Sequence, residues 1–154
     1  MGPRGRKALN LTLAEVNDLL AAGFPSAHKG GFRCEEFGEG WALARWSHQP
    51  EMLRPGGYVP GPTLFGLADL ALWFACFTVI GLEPMAVTSD LAIAFLRPAK
   101  DSDVLAKATI LRVGRSRIYG QVDLWVDGSE DRLVAQAHGS YVPPPADRSR
   151  SGSK

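Results

Sequence analysis

The sequence predicts an α+β fold in which one antiparallel sheet wraps a single long central helix, and three observations predict it. Residues 63–80 form a largely apolar run with a single charge, Asp69, and the apolar side chains encircle the run instead of forming one stripe, so protein must surround it. Four later segments between Ala86 and Val142 alternate apolar and polar residues, the pattern of strands with one buried face. Ahead of the helix stands Arg54-Pro-Gly-Gly-Tyr-Val-Pro-Gly-Pro62, where three prolines and three glycines rule out regular structure.

Size and charge bound the rest. A chain of 154 residues, 45% of them hydrophobic, holds one domain, expected over residues 1–142, and buries roughly two-thirds of its unfolded surface. The Pro-, Ser- and Arg-rich stretch 143–154 is expected to be a disordered tail. Lysine and arginine number 17 against 16 acidic residues, so there is no global field for nucleic acid or a membrane surface. Cys34 and Cys76 stand alone without metal-ligand spacing, so neither a metal nor another cofactor is expected, and a reducing, cytoplasmic setting is. The basic start, residues 1–10, leads into an amphipathic stretch without a signal peptide's apolar core, so no export is expected. The run 63–80 has nearly the length to span a bilayer. A carboxylate at a bilayer centre costs about 2.5–3.5 kcal/mol, however, and the alternating segments that follow can cover an apolar helix from outside.

The elements follow in order. Thr12-Leu-Ala-Glu15 is a capping box that opens a short helix over 12–22, with Leu13, Val16 and Leu20 inward and Gly23-Phe24-Pro25 closing it. Gly30, Gly31, Gly38 and Gly40 read as loop before a first strand over Trp41–Trp46. The long helix begins after the Pro/Gly run, with Pro62 in its first turn and Gly61 just before it, and stops at Gly81. Strands are expected over Ala86–Leu96, Val104–Val113, Ile118–Val126 and Leu133–Val142, with Val87, Leu91, Ile93 and Phe95 sharing a face in the first and Asp127-Gly128 turning the third.

Asp69 is the residue to explain, because a carboxylate among Leu67, Ala68, Leu70 and Ala71 is costly unless it is paired or held for chemistry. It could brace a neighbouring loop or face the rim of an oligomer. As chemistry, it could serve as a general base toward water or as a nucleophile. Gly61 offers the complementary half, since amides at a helix N-terminus point outward and can polarise a carbonyl under attack. Eight residues of helix rise about 12 Å, too far for Gly61 and Asp69 of one chain to act on one carbonyl. Two helices packed antiparallel about a twofold axis would pair Gly61 of one copy with Asp69 of the other, which predicts a homodimer or homotetramer.

The stretch Gly61-Pro-Thr-Leu-Phe-Gly-Leu-Ala-Asp69-Leu-Ala-Leu-Trp-Phe-Ala75 resembles the HGG-x-x-x-x-LAD-x-A-x-x-x-A helix of the PaaI-type acyl-CoA thioesterases of the hotdog fold. Ala94-Phe-Leu-Arg-Pro98 is similar to that family's FLRP strand end, and Gly114-Arg-Ser-Arg117 to its basic turn. The resemblance covers roughly 54–142. It implies the hotdog fold, hydrolysis of an acyl-CoA, Asp69 in the catalytic acid position and Gly61 as the glycine whose amide polarises the thioester carbonyl. Pro60 stands where the family has histidine and Pro62 where it has a second glycine, and the loop just upstream holds no asparagine to orient a water.

Around this pair, Arg97, Arg112, Arg115 and Arg117 are candidates for CoA phosphates, with a solvated basic turn as the plainer role. Pro62, Thr63, Trp73 and Cys76 are candidates to line the acyl pocket, although core or interface suits Trp73 and Cys76 equally well. His28, His48 and His138 adjoin no nucleophile motif, which disfavours a hydrolase triad. The competing expectation is a module that holds an acyl ligand without cleaving it. A dehydratase comes last, because no histidine lies in the long helix.

Overall fold

The computed structural model describes residues 10–145. The expected tail therefore falls mainly outside the described residues, as does the basic start. Thr12 caps helix α1, Leu13–Gly23, by accepting from the Glu15 amide at 3.2 Å, while its hydroxyl meets the Glu15 carboxylate at 3.0 Å. Phe24 ends the helix through a bond to the Leu20 carbonyl at 2.8 Å. The chain then re-enters helix at once in α2, Pro25–Lys29, because proline suits a first helical turn; the sequence reading had only a closing turn here.

A second correction concerns the glycine-punctuated stretch. It contains strand β1, Phe32–Gly38, so that Trp41–Trp46 is β2. Gly31 and Gly40, at φ 95° and 80°, form the turns that flank β1, and Gly38 ends it. The outer edge of β1 is occupied by a side chain: the Asn17 carboxamide accepts from the Cys34 amide and donates to the Cys34 carbonyl, both at 2.9 Å, which pins α1 beside the strand.

Helix α3 spans Gly61–Ile80, starting one residue earlier than expected, and Gly81 at φ 89° closes it. It is long and apolar enough to cross a membrane by length and composition. In the fold it is the core, with Leu67, Leu72, Phe74 and Phe77 fully buried against Trp46, Val104, Ile118, Val122 and Leu124. Burying one such side chain contributes roughly 1.5–3 kcal/mol, so this packing is what holds the sheet around the helix.

Strands β3 (Val87–Phe95), β4 (Val104–Val113), β5 (Ile118–Val126) and β6 (Leu133–Val142) complete a six-stranded antiparallel sheet in the order β1-β2-β4-β5-β6-β3. This is the hotdog arrangement. At one point the sheet thins to let the helix in, because Gly120 faces Gly139 across β5 and β6 and a Cβ on Gly120 would lie 2.6 Å from Leu72 Cδ1. On the outer surface, Arg45 meets the carboxylates of Glu35, Asp103 and Asp127 at 2.5, 3.0 and 2.8 Å, tying β2 to β1 and to the loops at the ends of β4 and β5.

In β3 the even alternation fails. The register shifts between Thr88 and Asp90, so Thr88 pairs with Tyr141 while Leu91 pairs with Gly139. Paired residues share a face, so Thr88 joins Leu91, Ile93 and Phe95 on the helix side. Val87, opposite Val142, turns away from them, which corrects the expected face of this strand.

Candidate active site

Asp69 sits on α3 between the buried Ala68 and Leu70 but is itself only partly covered. One of its carboxylate oxygens accepts two hydrogen bonds, from the Thr88 hydroxyl at 2.7 Å and the Tyr141 hydroxyl at 2.5 Å. The Tyr141 hydroxyl is also 3.0 Å from the Asp69 backbone carbonyl. The other carboxylate oxygen has no hydrogen bond among the described residues. Asp69 also forms part of the wall of a cavity of about 380 Å³ between α3, Phe24, Phe32 and Met52. The side chain is thus anchored through one atom and open at the other.

The neighbouring acids are held neutral. Burial, with the Asp69 charge next, pushes the Tyr141 phenol well above its ordinary range, so it stays a donor. Burial pushes the Cys76 thiol up to about 12, and Asp69 adds to the shift, so Cys76 is no thiolate nucleophile. Cys34 is also raised to about 12 by burial, against a lowering bond to the Glu36 backbone.

At the other end of the exposed stripe of α3, the helix start presents a single free donor. Pro60 and Pro62 have no N–H, and the Thr63 and Leu64 amides turn back to the Pro60 carbonyl at 3.1 and 3.3 Å. That leaves the Gly61 amide without a hydrogen-bond partner among the described residues. The two prolines therefore isolate one donor where a first turn normally has several. Gly61 borders cavities of about 910 and 440 Å³, and a Cβ on it would lie 3.3 Å from the Phe95 ring.

The structure does not bring Gly61 and Asp69 together within one chain, since α3 separates them by about 12 Å. Pro62 borders the cavities of both, and Thr63 that of Asp69. Trp73 packs on Phe77, ring centroids 4.8 Å apart, and Cys76 is fully buried; neither is among the residues lining these cavities. The expected arginine cluster divides. Arg112, Arg115 and Arg117 lie at the β4–β5 turn, at the end of the sheet where β3 begins, and Arg117 comes within 3.8 Å of Asp90. Arg97 lies at the opposite end, donates to the Leu133 carbonyl at 2.8 Å and borders the Gly61 cavity. Beside it, Lys100 and Arg132 line an adjoining cavity of about 470 Å³, and Arg54 lines the Gly61 cavity; none of these three is a site candidate from the sequence. None of the three has a carboxylate within 4 Å among the described residues. The sequence reading offered neither Thr88 nor Tyr141 as a site residue.

Comparison with known proteins bears on the family and the fold. The family model of the thioesterase superfamily matches residues 56–132. A candidate esterase of Saccharolobus solfataricus is 26% identical over 132 residues, which is 86% of this chain and 85% of that protein. The crystal structure of a candidate thioesterase from Silicibacter sp. TM1040 superposes with a TM-score of 0.80 at 29% identity, over 89% of this chain and 94% of that one. The PaaI protein of the E. coli phenylacetic acid degradation operon superposes at 0.75 over 93% and 97% of the two chains; at 22% identity it shows the fold alone.

Proposed function

The chain belongs to the thioesterase superfamily, and we propose that it hydrolyses an acyl-CoA thioester to the free acid and CoA at a site shared between two copies of itself. The observation that carries this is the divided carboxylate of Asp69, one oxygen anchored by Thr88 and Tyr141 and the other without a hydrogen bond among the described residues, on a side chain that borders a cavity. The open oxygen can take a proton from water as that water attacks the carbonyl carbon, and return the proton to the thiolate as the C–S bond breaks; or it can attack the carbon itself, expelling CoA as thiolate and leaving an acyl anhydride that water hydrolyses to the free acid, the proton released passing to the thiolate. Developing charge on the carbonyl oxygen would be met by the Gly61 amide.

The dimer follows from where these groups sit. β3 ends the sheet, and its free edge carries exposed apolar residues, Val87 at 57% and Phe95 at 54%, next to Phe65 of α3. Asp69 lies near the start of β3 through Thr88, and Gly61 near its end through Phe95. Two such edges paired antiparallel would set the start of one against the end of the other, and with it Asp69 against Gly61 of the partner subunit. The free, buried cysteines fit a cytoplasmic setting.

The test is thiol release from a panel of acyl-CoAs, with light-scattering mass, for the wild type and Asp69→Asn. The wild type should be dimeric or larger and active, and Asp69→Asn should fold and lose at least about 10²-fold in turnover. A fully active monomer, or an Asn variant with wild-type turnover, sinks the mechanism. A wild type that binds acyl-CoA and cleaves none of it sinks the activity.

A further inference from the structure

We propose that Gly66 is a specificity-determining residue, setting the width of the pocket that receives the acyl group beside Asp69. Gly66 lies in the interior of α3, where glycine loses more backbone freedom on folding than alanine would. Two structural reasons commonly keep a glycine in such a place, a left-handed backbone or a neighbour too close to admit a Cβ. Neither applies. Gly66 is not among the positive-φ glycines, and the nearest atom to a Cβ built on it is Phe32 Cζ at 3.9 Å, an ordinary contact. The fold would accept alanine at no steric cost.

What a Cβ would take is space in the cavity of about 380 Å³ that also has Asp69 in its wall. Gly66 is one helical turn before Asp69, on the same exposed stripe. Phe24, Phe32, Met52 and Leu70 supply apolar walls, and Thr63 and Asp69 the polar side. An apolar cavity of about 150 Å³ holds a benzene ring, so this one admits a ring or branched chain close to the open carboxylate oxygen. Phe32 Cζ lies within contact distance of a Cβ on Gly66, so the ring adjoins Gly66 in the same wall and adds aromatic surface for a flat acyl group.

This inference rests on the thioesterase reading for the identity of the occupant, and the experiment separates the two. Binding of S-alkyl CoA thioethers of graded width, ethyl, benzyl and naphthylmethyl, is measured by calorimetry for the wild type, Gly66→Ala and Gly66→Met. The ethyl thioether should bind all three alike. The ring-bearing thioethers should weaken by roughly tenfold or more with alanine and further with methionine, since one methylene in an apolar pocket discriminates on that scale. Both variants should melt at or above the wild-type temperature, because each replaces glycine with a better helix former. Width profiles that coincide in all three proteins, or no width-dependent binding at all, overturn the proposal. Absence of thiol release from the corresponding thioesters by the wild type would sink hydrolysis alone, because the binding profile still decides what Gly66 does.

Discussion

The hydroxyls of Thr88 and Tyr141 converge on the same oxygen of Asp69, at 2.7 and 2.5 Å, from neighbouring strands that pair these two residues directly. Two donors on one atom fix the carboxylate's rotation and leave the second oxygen open to a reactant. Tyr141→Phe removes one donor and keeps the ring. It should lower stability by about 1.5–3 kcal/mol, the range for a hydrogen bond to a charged group. It should also lower kcat by about tenfold to a hundredfold through loss of orientation, with KM near the wild-type value. Urea melts beside steady-state kinetics check both; a variant with wild-type kcat would leave Tyr141 as packing.

The isolated amide of Gly61 makes a clean substitution pair. Gly61→Pro deletes the last free N–H of the first turn at a position where helices accept proline. Turnover should fall by about 10²–10³-fold, the scale of a lost oxyanion donor. Gly61→Ala keeps the N–H and places its Cβ 3.3 Å from Phe95, and should retain most activity. Mixing Gly61→Pro with Asp69→Asn should restore turnover through mixed dimers, one of whose two sites is intact. Kinetics of the mixture against each variant alone are the check, and no recovery would place both groups in one subunit.

The basic residues at the two ends of the sheet should act on affinity. In the proposed dimer Arg117 of one subunit comes toward the Gly61 cavity of the other, where Arg97 lies. Arg97→Ala, Arg115→Ala and Arg117→Ala should each raise KM for acyl-CoA with kcat nearly constant. An added test is salt: contacts to phosphates weaken as ionic strength rises, so wild-type KM should climb with salt more steeply than that of the variants.

Alkali should destabilise the fold through its buried thiols. Cys34 and Cys76 titrate near 12 in the fold against an ordinary 9.0, so between these values the unfolded chain has shed protons that the folded chain keeps. Stability therefore falls as pH rises through this window, by up to about 1.4 kcal/mol per pH unit per thiol. Below pH 9 these groups contribute no slope. Urea midpoints between pH 8 and 11 should show the decline; Cys34→Ala with Cys76→Ala should remove it up to about pH 10, the ordinary value above which the raised Tyr141 phenol adds a decline of its own.

Much of this molecule can be read along the chain. Strands β4 to β6 fall at the expected residues because each alternates cleanly between turns, and α3 is announced by apolar residues on every side between a Pro/Gly run and Gly81. Asp69 stands out on cost alone. β1 escaped because its glycines are the turns around a strand, and α2 because a proline that ends one helix also begins another. Thr88 could not be found by periodicity, since even alternation from Leu91 back puts it on the solvent side, and only the irregularity before Asp90 turns it inward. The arginines looked clustered in sequence because strand ends recur about every ten residues, while consecutive ends of an antiparallel sheet lie at opposite poles.

The irregularity in β3 also separates what the fold tolerates from what the site tolerates. Deleting Ser89 would leave Leu91, Ile93 and Phe95 free to keep their partners on β6, and the chain would still have a core to fold around. Thr88 would also keep its place opposite Tyr141, because the deletion removes only the extra residue, whereas straightening the strand with Ser89 retained would set Ser89 opposite Tyr141 and turn the Thr88 hydroxyl to solvent. Insertions and deletions are usually absorbed in loops, yet here the bulge itself acts as a coupling pin between scaffold and chemistry. Among descendants of this sequence, loss of the bulge with its residue kept would yield proteins that fold but hold their carboxylate without Thr88.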